Sequence, residues 1–130
     1  MILLDTHAWI WWLSNPERLS KAAADAVSQA VREDAVALSS ISAWELAMLV
    51  DRGRLELDRS VDALVQGTEA LSFVHVVDVD ARIAVASVRL GLPHKDPADR
   101  IIAATARLMD ATLVTADRKL LDWPGVRTLW

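Results

Sequence analysis

Short apolar runs recur along this chain, and each gives way to a longer stretch whose apolar residues repeat at helical spacing. Ile2–Leu4 runs into Thr6–Leu13, Ala35–Leu38 into a helical segment opening at Ser42, and Thr112–Thr115 into a short one starting at Asp117. Strands alternating with helices of this size indicate an α/β fold in three layers, a central, mainly parallel sheet flanked by helices. In open sheets of that kind, active sites lie beyond the carboxyl ends of the strands.

The other elements follow from local signals. Asn15-Pro16 stops the first helix. Ser20 caps an alanine-rich helix, SKAAADAVSQAVRE. Ser42 and Glu45 form an S-x-x-E capping-box pattern, and Gly53 ends that helix. A fourth helix starts near Ser60, with Val61, Leu64 and Val65 on one face. Phe73–Val79 reads as a strand, and residues 81–90 as a helix ended by Gly91 and Pro93. Asp96-Pro97 opens a helix with cap and first-turn proline in their favoured places, and its apolar face is Ile101, Ile102, Leu108 and Met109. Val126–Leu129 reads as an edge strand. No repeat, low-complexity stretch or linker interrupts this order, so residues 1–130 are expected to form one domain.

Apolar residues make up 53% of the 130, enough for a respectable core, yet charges interrupt them throughout. No run approaches the ~18 residues of a membrane helix. The opening MILLDTHAWIWWL has no basic start and carries Asp5 and His7, so it reads as a buried strand entering a helix, not a signal peptide. The absence of cysteine excludes disulfides, thiolate catalysis and cysteine-based zinc sites, and is consistent with a cytoplasmic protein. A net charge of −4 counts against a module that holds nucleic acid by phosphate neutralisation alone. It counts less against an enzyme that meets phosphate through bound cations.

Four acids fall at strand ends and helix starts. Asp5 ends the first strand, Asp117 follows TLVT, and Glu45 and Asp99 sit in the first turns of helices. Each has an ordinary reading as a helix cap. Two details go further: Asp5 leaves a strand that should be buried, and Glu45 is the only charge in AWELAMLV. Carboxylates there are costly to desolvate unless something compensates them. A helix N-terminus contributes roughly 0.3–1 kcal/mol, whereas two like charges about 4 Å apart repel by about 4 kcal/mol at an effective dielectric near 20. Convergence of several acids therefore calls for a divalent cation. Mg²⁺ and Mn²⁺ prefer hard oxygen ligands, and one or two such ions can activate water against a phosphodiester. Lys95, Arg100, Arg118 and Lys119 lie beside the acids and are candidates to contact substrate phosphate. His7, His75 and His94 lack zinc-ligand spacing and are expected to be packed or surface residues.

Four segments, taken together, resemble the motifs of the PIN-domain nucleases and, within them, the VapC-type toxins of prokaryotic toxin–antitoxin systems. They are LLDTHAWIWWL, SISAWELAMLVDRGRLEL, HKDPADRIIAATA and LVTADRKL, in order across nearly the whole chain. The resemblance implies a PIN-like sandwich and an endoribonuclease dependent on Mg²⁺ or Mn²⁺. It implies that Asp5, Glu45 and Asp99 hold the metal, with Asp117 assisting and Thr6 and Thr115 close by. Asp96 is then a helix cap with a supporting role, although the choice between Asp96 and Asp99 as direct ligand stays open. The resemblance also implies an RNA substrate, a VapB-type antitoxin, a homodimer and no membrane association. Trp9 and Trp12, three apart on the first helix, are candidates for the antitoxin groove. At least one of Trp9, Trp11 and Trp12 is expected in the core, and base stacking on RNA is a third role open to them.

Other classes fit less well. A phospho-receiver would carry paired acids after the first strand and a lysine after a late one, and neither is present. A haloacid-dehalogenase-like phosphatase needs an aspartate where His7 stands. A non-catalytic PIN-like module that only binds protein or RNA remains as the alternative, although all four acids are in place.

Overall fold

The computed structural model describes residues 1–130. Its elements run β1 (Ile2–Leu4), α1 (Thr6–Ser14), a 3₁₀ turn (Pro16–Arg18), α2 (Lys21–Arg32), β2 (Val36–Ser39), α3 (Ser40–Asp51), α4 (Val61–Glu69), β3 (Val74–Val77), α5 (Ala81–Arg89), α6 (Pro97–Leu108), β4 (Thr112–Val114), α7 (Arg118–Leu121) and β5 (Thr128–Leu129). The sheet has strand order β3-β2-β1-β4-β5, and every neighbouring pair is parallel. The three-layer α/β expectation holds, with a sheet that is wholly parallel.

The apolar runs are strands because both of their faces are covered. Leu3 pairs with Ala37 on one side and Leu113 on the other, and all three are fully buried. The pleat sends neighbours to opposite layers. Leu4 joins Trp9, Val27, Leu38, Leu46, Leu64 and Val114 in one core. Leu3 joins Ala37, Ile102, Ala103, Leu113 and Leu120 in the other. Small residues on α6 (Ala98, Ala103, Ala104, Ala106) are buried at 2% exposure or less, which lets that helix lie close to the sheet.

Chain order steps outward from β1 through β2 to β3, then returns to the other side of β1 for β4 and β5. The reversal leaves a crevice at the carboxyl ends of β1 and β4, the usual place for a site in such sheets. Asp5 and Thr115 follow those two strand ends directly.

Three expectations are corrected. The N-cap of α3 is Ser39, whose Oγ accepts from the Ile41 N–H at 3.2 Å, so the helix begins before Ser42. The Ser42–Glu45 capping box therefore does not form, and Glu45 lies in the second turn. β2 passes into α3 with no intervening loop, and the strand's own last hydroxyl does the capping. β3 is shorter than Phe73–Val79. Gly53, by contrast, ends the α3 region at φ +67°, as its position implied.

Candidate active site

Asp5 is 6% exposed and caps α1, with both carboxylate oxygens engaged. The Thr6 N–H donates to Oδ1 at 2.7 Å and the Thr115 hydroxyl donates to Oδ2 at 2.6 Å. Thr115 Oγ1 also accepts from the Asp117 N–H at 3.0 Å, so one hydroxyl ties the ends of β1 and β4 to the turn carrying Asp117.

Glu45 reaches the same place from α3. Thr6 Oγ1 donates to Glu45 Oε1 at 2.5 Å. A hydroxyl has one proton, so the 2.9 Å contact between Thr6 and Ser42 is a bond that Ser42 donates. The relay Ser42→Thr6→Glu45 accounts for the position of Ser42.

α6 brings the third group. Asp96 caps it through Oδ1, accepting from the Ala98 N–H at 2.9 Å, and Asp99 lies in its first turn. Carboxylate oxygens of Glu45, Asp96 and Asp99 lie within 4.8 Å of one another. His94, expected to be a bystander, is in the cluster. It is 9% exposed, with Nε2 at 2.9 Å from Asp99 Oδ2 and 3.1 Å from Asp117 Oδ2. The Asp96 N–H donates to Nδ1 at 3.2 Å, which assigns the proton of the neutral ring to Nε2, facing the acids.

These groups line a cavity of about 370 Å³ formed by Asp5, His7, Trp11, Glu45, Asp96, Asp99, Ala116 and Asp117. A larger groove of about 650 Å³ between α5 and α6 is lined by alanines, Val85, leucines and three arginines, with no carboxylate among them. The carboxylates gather in the smaller cavity.

The description of the PIN domain as a protein family matches residues 2–125. The chain belongs to the PIN-domain family. A relative, Ribonuclease VapC22 of Mycobacterium tuberculosis (strain ATCC 25618 / H37Rv), is 39% identical, the match covering 99% of this chain and 98% of that one. Two solved structures have the same fold. VapBC2 from Rickettsia felis, crystallised with a promoter DNA fragment, is 20% identical with TM-score 0.72, covering 99% and 98% of the two chains. A toxin–antitoxin complex from Klebsiella pneumoniae is 23% identical with TM-score 0.64, covering 97% and 95%.

The site of this PIN domain thus gathers all four predicted acids, with Asp96, Thr6 and Thr115. Two candidates are engaged elsewhere in the fold. Arg100 is spent on structure: its guanidinium donates to the carbonyls of Ser87, Val88, Leu92 and His94, tying the end of α5 to the loop before α6. Four of its five N–H donors are engaged in this way, which leaves one Nη2 hydrogen for any phosphate. Trp9 is 1% exposed in the core, and its Nε1 donates to Thr68 Oγ1 at 3.0 Å, so it is no groove residue. Trp12 is half-buried, with its ring edge-on to Phe73 at 6.3 Å. Lys95, Arg118 and Lys119 are exposed. His7 is exposed, and His75 on β3 bonds the Asp34 carbonyl at 2.9 Å.

Electrostatics follow from this crowding. Burial, then repulsion from Asp5, Asp96, Glu45 and Asp117, pushes Asp99 up to about 8. Burial raises Asp5 against the bonds from Thr115 and Thr6, and raises Glu45 against the bond from Thr6. Burial also acts to raise Asp117, but hydrogen bonds from His94 and the Lys119 backbone leave it below the usual carboxylate range.

An acid whose folded pKa is raised binds its proton more tightly folded than unfolded, so its contribution to stability is lost as pH rises. For Asp99 that loss spans about pH 4 to 8, and Asp5 and Glu45 act in the same direction. Asp117 acts oppositely, its contribution being lost as pH falls below 4. In EDTA, the melting temperature is expected to fall between pH 5 and pH 8.5, by calorimetry at fixed ionic strength. A melting temperature that rises over this interval would refute the crowded-acid account.

Proposed function

We propose that this PIN domain is an endoribonuclease that hydrolyses RNA phosphodiester bonds as the toxin of a toxin–antitoxin pair. Residues 1–130 are read as one nuclease unit, acting in the cytoplasm with a small VapB-type antitoxin as partner and a second copy in a homodimer. The observation that carries the reading is the cavity in which Asp5, Glu45, Asp99 and Asp117 converge. The relative's name as a ribonuclease and the toxin–antitoxin complexes among the fold's neighbours support it. No helix is long and apolar enough to cross a membrane.

The donor set fits a Mg²⁺ or Mn²⁺ ion. Glu45, Asp96 and Asp99 present hard oxygen atoms within 4.8 Å of one another, and the raised Asp99 marks an excess of negative charge. Asp5, Glu45 and Asp99 would hold it, Asp117 and Asp96 supporting, as one ion or two. Bound there, such an ion would supply activation of a water and neutralisation of phosphate charge.

The protein's own part is to hold its carboxylates ready. Thr6 N–H and Thr115 Oγ–H fix both oxygens of Asp5, and Thr6 Oγ–H fixes Glu45. His94 Nε2–H fixes Asp99 and Asp117. With these groups aimed beforehand, little reorganisation is required when substrate binds. Lys95, Arg118 and Lys119 stand exposed beside the acids in sequence and are suited to meet flanking phosphates.

The test is incubation with total bacterial RNA in Mg²⁺, Mn²⁺ or EDTA, with new 5′ ends mapped by sequencing. Discrete cuts in Mg²⁺ or Mn²⁺ and none in EDTA are expected. Folded protein that leaves every RNA intact in either ion would favour a non-catalytic binding module.

A further inference from the structure

The acidic cavity is not walled by acids alone. Trp11 lines it together with His7, and the two are four apart on α1, so they share a face. Their ring centroids are 5.7 Å apart at 52°. The ring of Trp130, just beyond β5, also meets that of Trp11, at 5.7 Å and 58°. The Arg18 guanidinium, from the 3₁₀ turn, sits 4.5 Å from the centre of the Trp11 ring. Three separate elements therefore gather an imidazole, a second indole and a guanidinium around Trp11, which with His7 forms the aromatic rim of the cavity. His7 and Arg18 are exposed, and Trp11 and Trp130 keep part of their surface.

We propose that this rim is a base-stacking subsite, in which Trp11, with His7, Trp130 and Arg18 around it, holds one unpaired nucleobase of the RNA beside the scissile phosphate. The inference rests on the endoribonuclease reading and names how that site grips its substrate. A chain of net charge −4 with carboxylates at its centre gains little from phosphate attraction. Its grip on RNA has to come largely from somewhere else. Aromatic faces joined to an arginine are the combination that binds single strands through their bases. Trp11 and His7 line the same cavity as the acids, so a base stacked on Trp11 belongs to a nucleotide at the cut. Because every base has a π face, the subsite selects for an unstacked nucleotide more than for a particular base.

The test uses a short single-stranded RNA spanning a mapped cut, with each flanking nucleotide replaced in turn by an abasic ribose. Wild type, Trp11→Leu, Trp11→Phe and Trp44→Leu are compared by kcat/KM. Trp44 is also exposed but lies in the groove between α3 and α4, so it serves as the control. Loss of one flanking base is expected to cost wild type on the order of tenfold or more. Trp11→Leu should lose a similar factor on intact RNA and nothing further on the abasic RNA, while Trp11→Phe recovers part of the loss. Trp44→Leu should behave as wild type.

Wild type that cuts every abasic RNA as well as the intact one overturns the subsite, and this arm needs no variant to fold. Losses from Trp11→Leu and the abasic site that multiply overturn it too. So does a Trp11→Leu protein that cleaves normally but binds a VapB-type antitoxin less tightly, since the rim would then belong to the protein partner. Wild type that cuts no RNA at all removes the nuclease reading itself, and the subsite with it.

Discussion

Asp99→Asn is expected to lose cleavage while gaining stability in EDTA. The loss should be at least about a hundredfold, because partners that merely orient metal ligands already cost roughly 10- to 100-fold when removed. The gain follows from the crowding. Asp99 faces Asp5, Asp96, Glu45 and Asp117, and burial with their repulsion pushes it up to about 8. At pH 9 the wild-type carboxylate is charged against those neighbours, whereas asparagine is neutral and still offers His94 an acceptor. Near pH 4 both side chains are neutral and the difference should shrink. Melting temperatures in EDTA at pH 5 and 9, with cleavage rates in Mn²⁺, supply both readouts. A variant that is inactive and also less stable at pH 9 would make Asp99 a structural acid. Asp96→Asn is the comparison: Asp96 is exposed and caps α6, and asparagine caps nearly as well, so its loss of activity should be smaller. The reverse order would hand the direct metal contact to Asp96.

What the sequence disclosed about this site was whatever depends on local chain geometry. Asp5 and Thr115 are legible because a buried strand of three residues has to end there, and Asp96-Pro97 because a cap and first-turn proline announce a helix. Asp99 follows from its distance into that helix. His94 was not legible. Its role comes from a loop folded back by Arg100, whose bonds to four carbonyls no sequence pattern marks. The same loop explains why Arg100, a cation beside the acids in sequence, spends four of its five N–H donors on backbone carbonyls. The start of α3 was misplaced for a related reason: Ser39 and Ser42 are equally good caps in isolation, and only the parallel pairing of β2 up to Ser39 with Val77 decides between them.

The tryptophans of α1 show another limit. THAWIWWLS is apolar around most of its circumference, so periodicity marks no single face. Placing Trp9 with Trp12 was geometrically reasonable, yet Trp9 is the one that turns into the core.

Trp9→Ala is therefore expected to be the most destabilising substitution on this helix. Removing a buried indole costs about 3–5 kcal/mol, a large part of the roughly 5–15 kcal/mol that holds a domain together. The melting temperature should fall by roughly 10–20 °C. Its hydrogen bond can be separated from its volume. Thr68→Val leaves the ring in place but strips the indole N–H of its acceptor, and should cost roughly 1–3 kcal/mol. Trp12→Ala removes a ring that is already half at the surface and should cost less than Trp9→Ala. Thermal melts of the three variants settle the order. If Trp9→Ala melts near wild type but binds antitoxin poorly, Trp9 is a groove residue after all. The consequence reaches the chemistry as well, because α1 carries Asp5 at its cap and Thr6 at its first position. A helix loosened from the core should aim both less well, so Trp9→Ala is expected to lose activity below its own melting temperature.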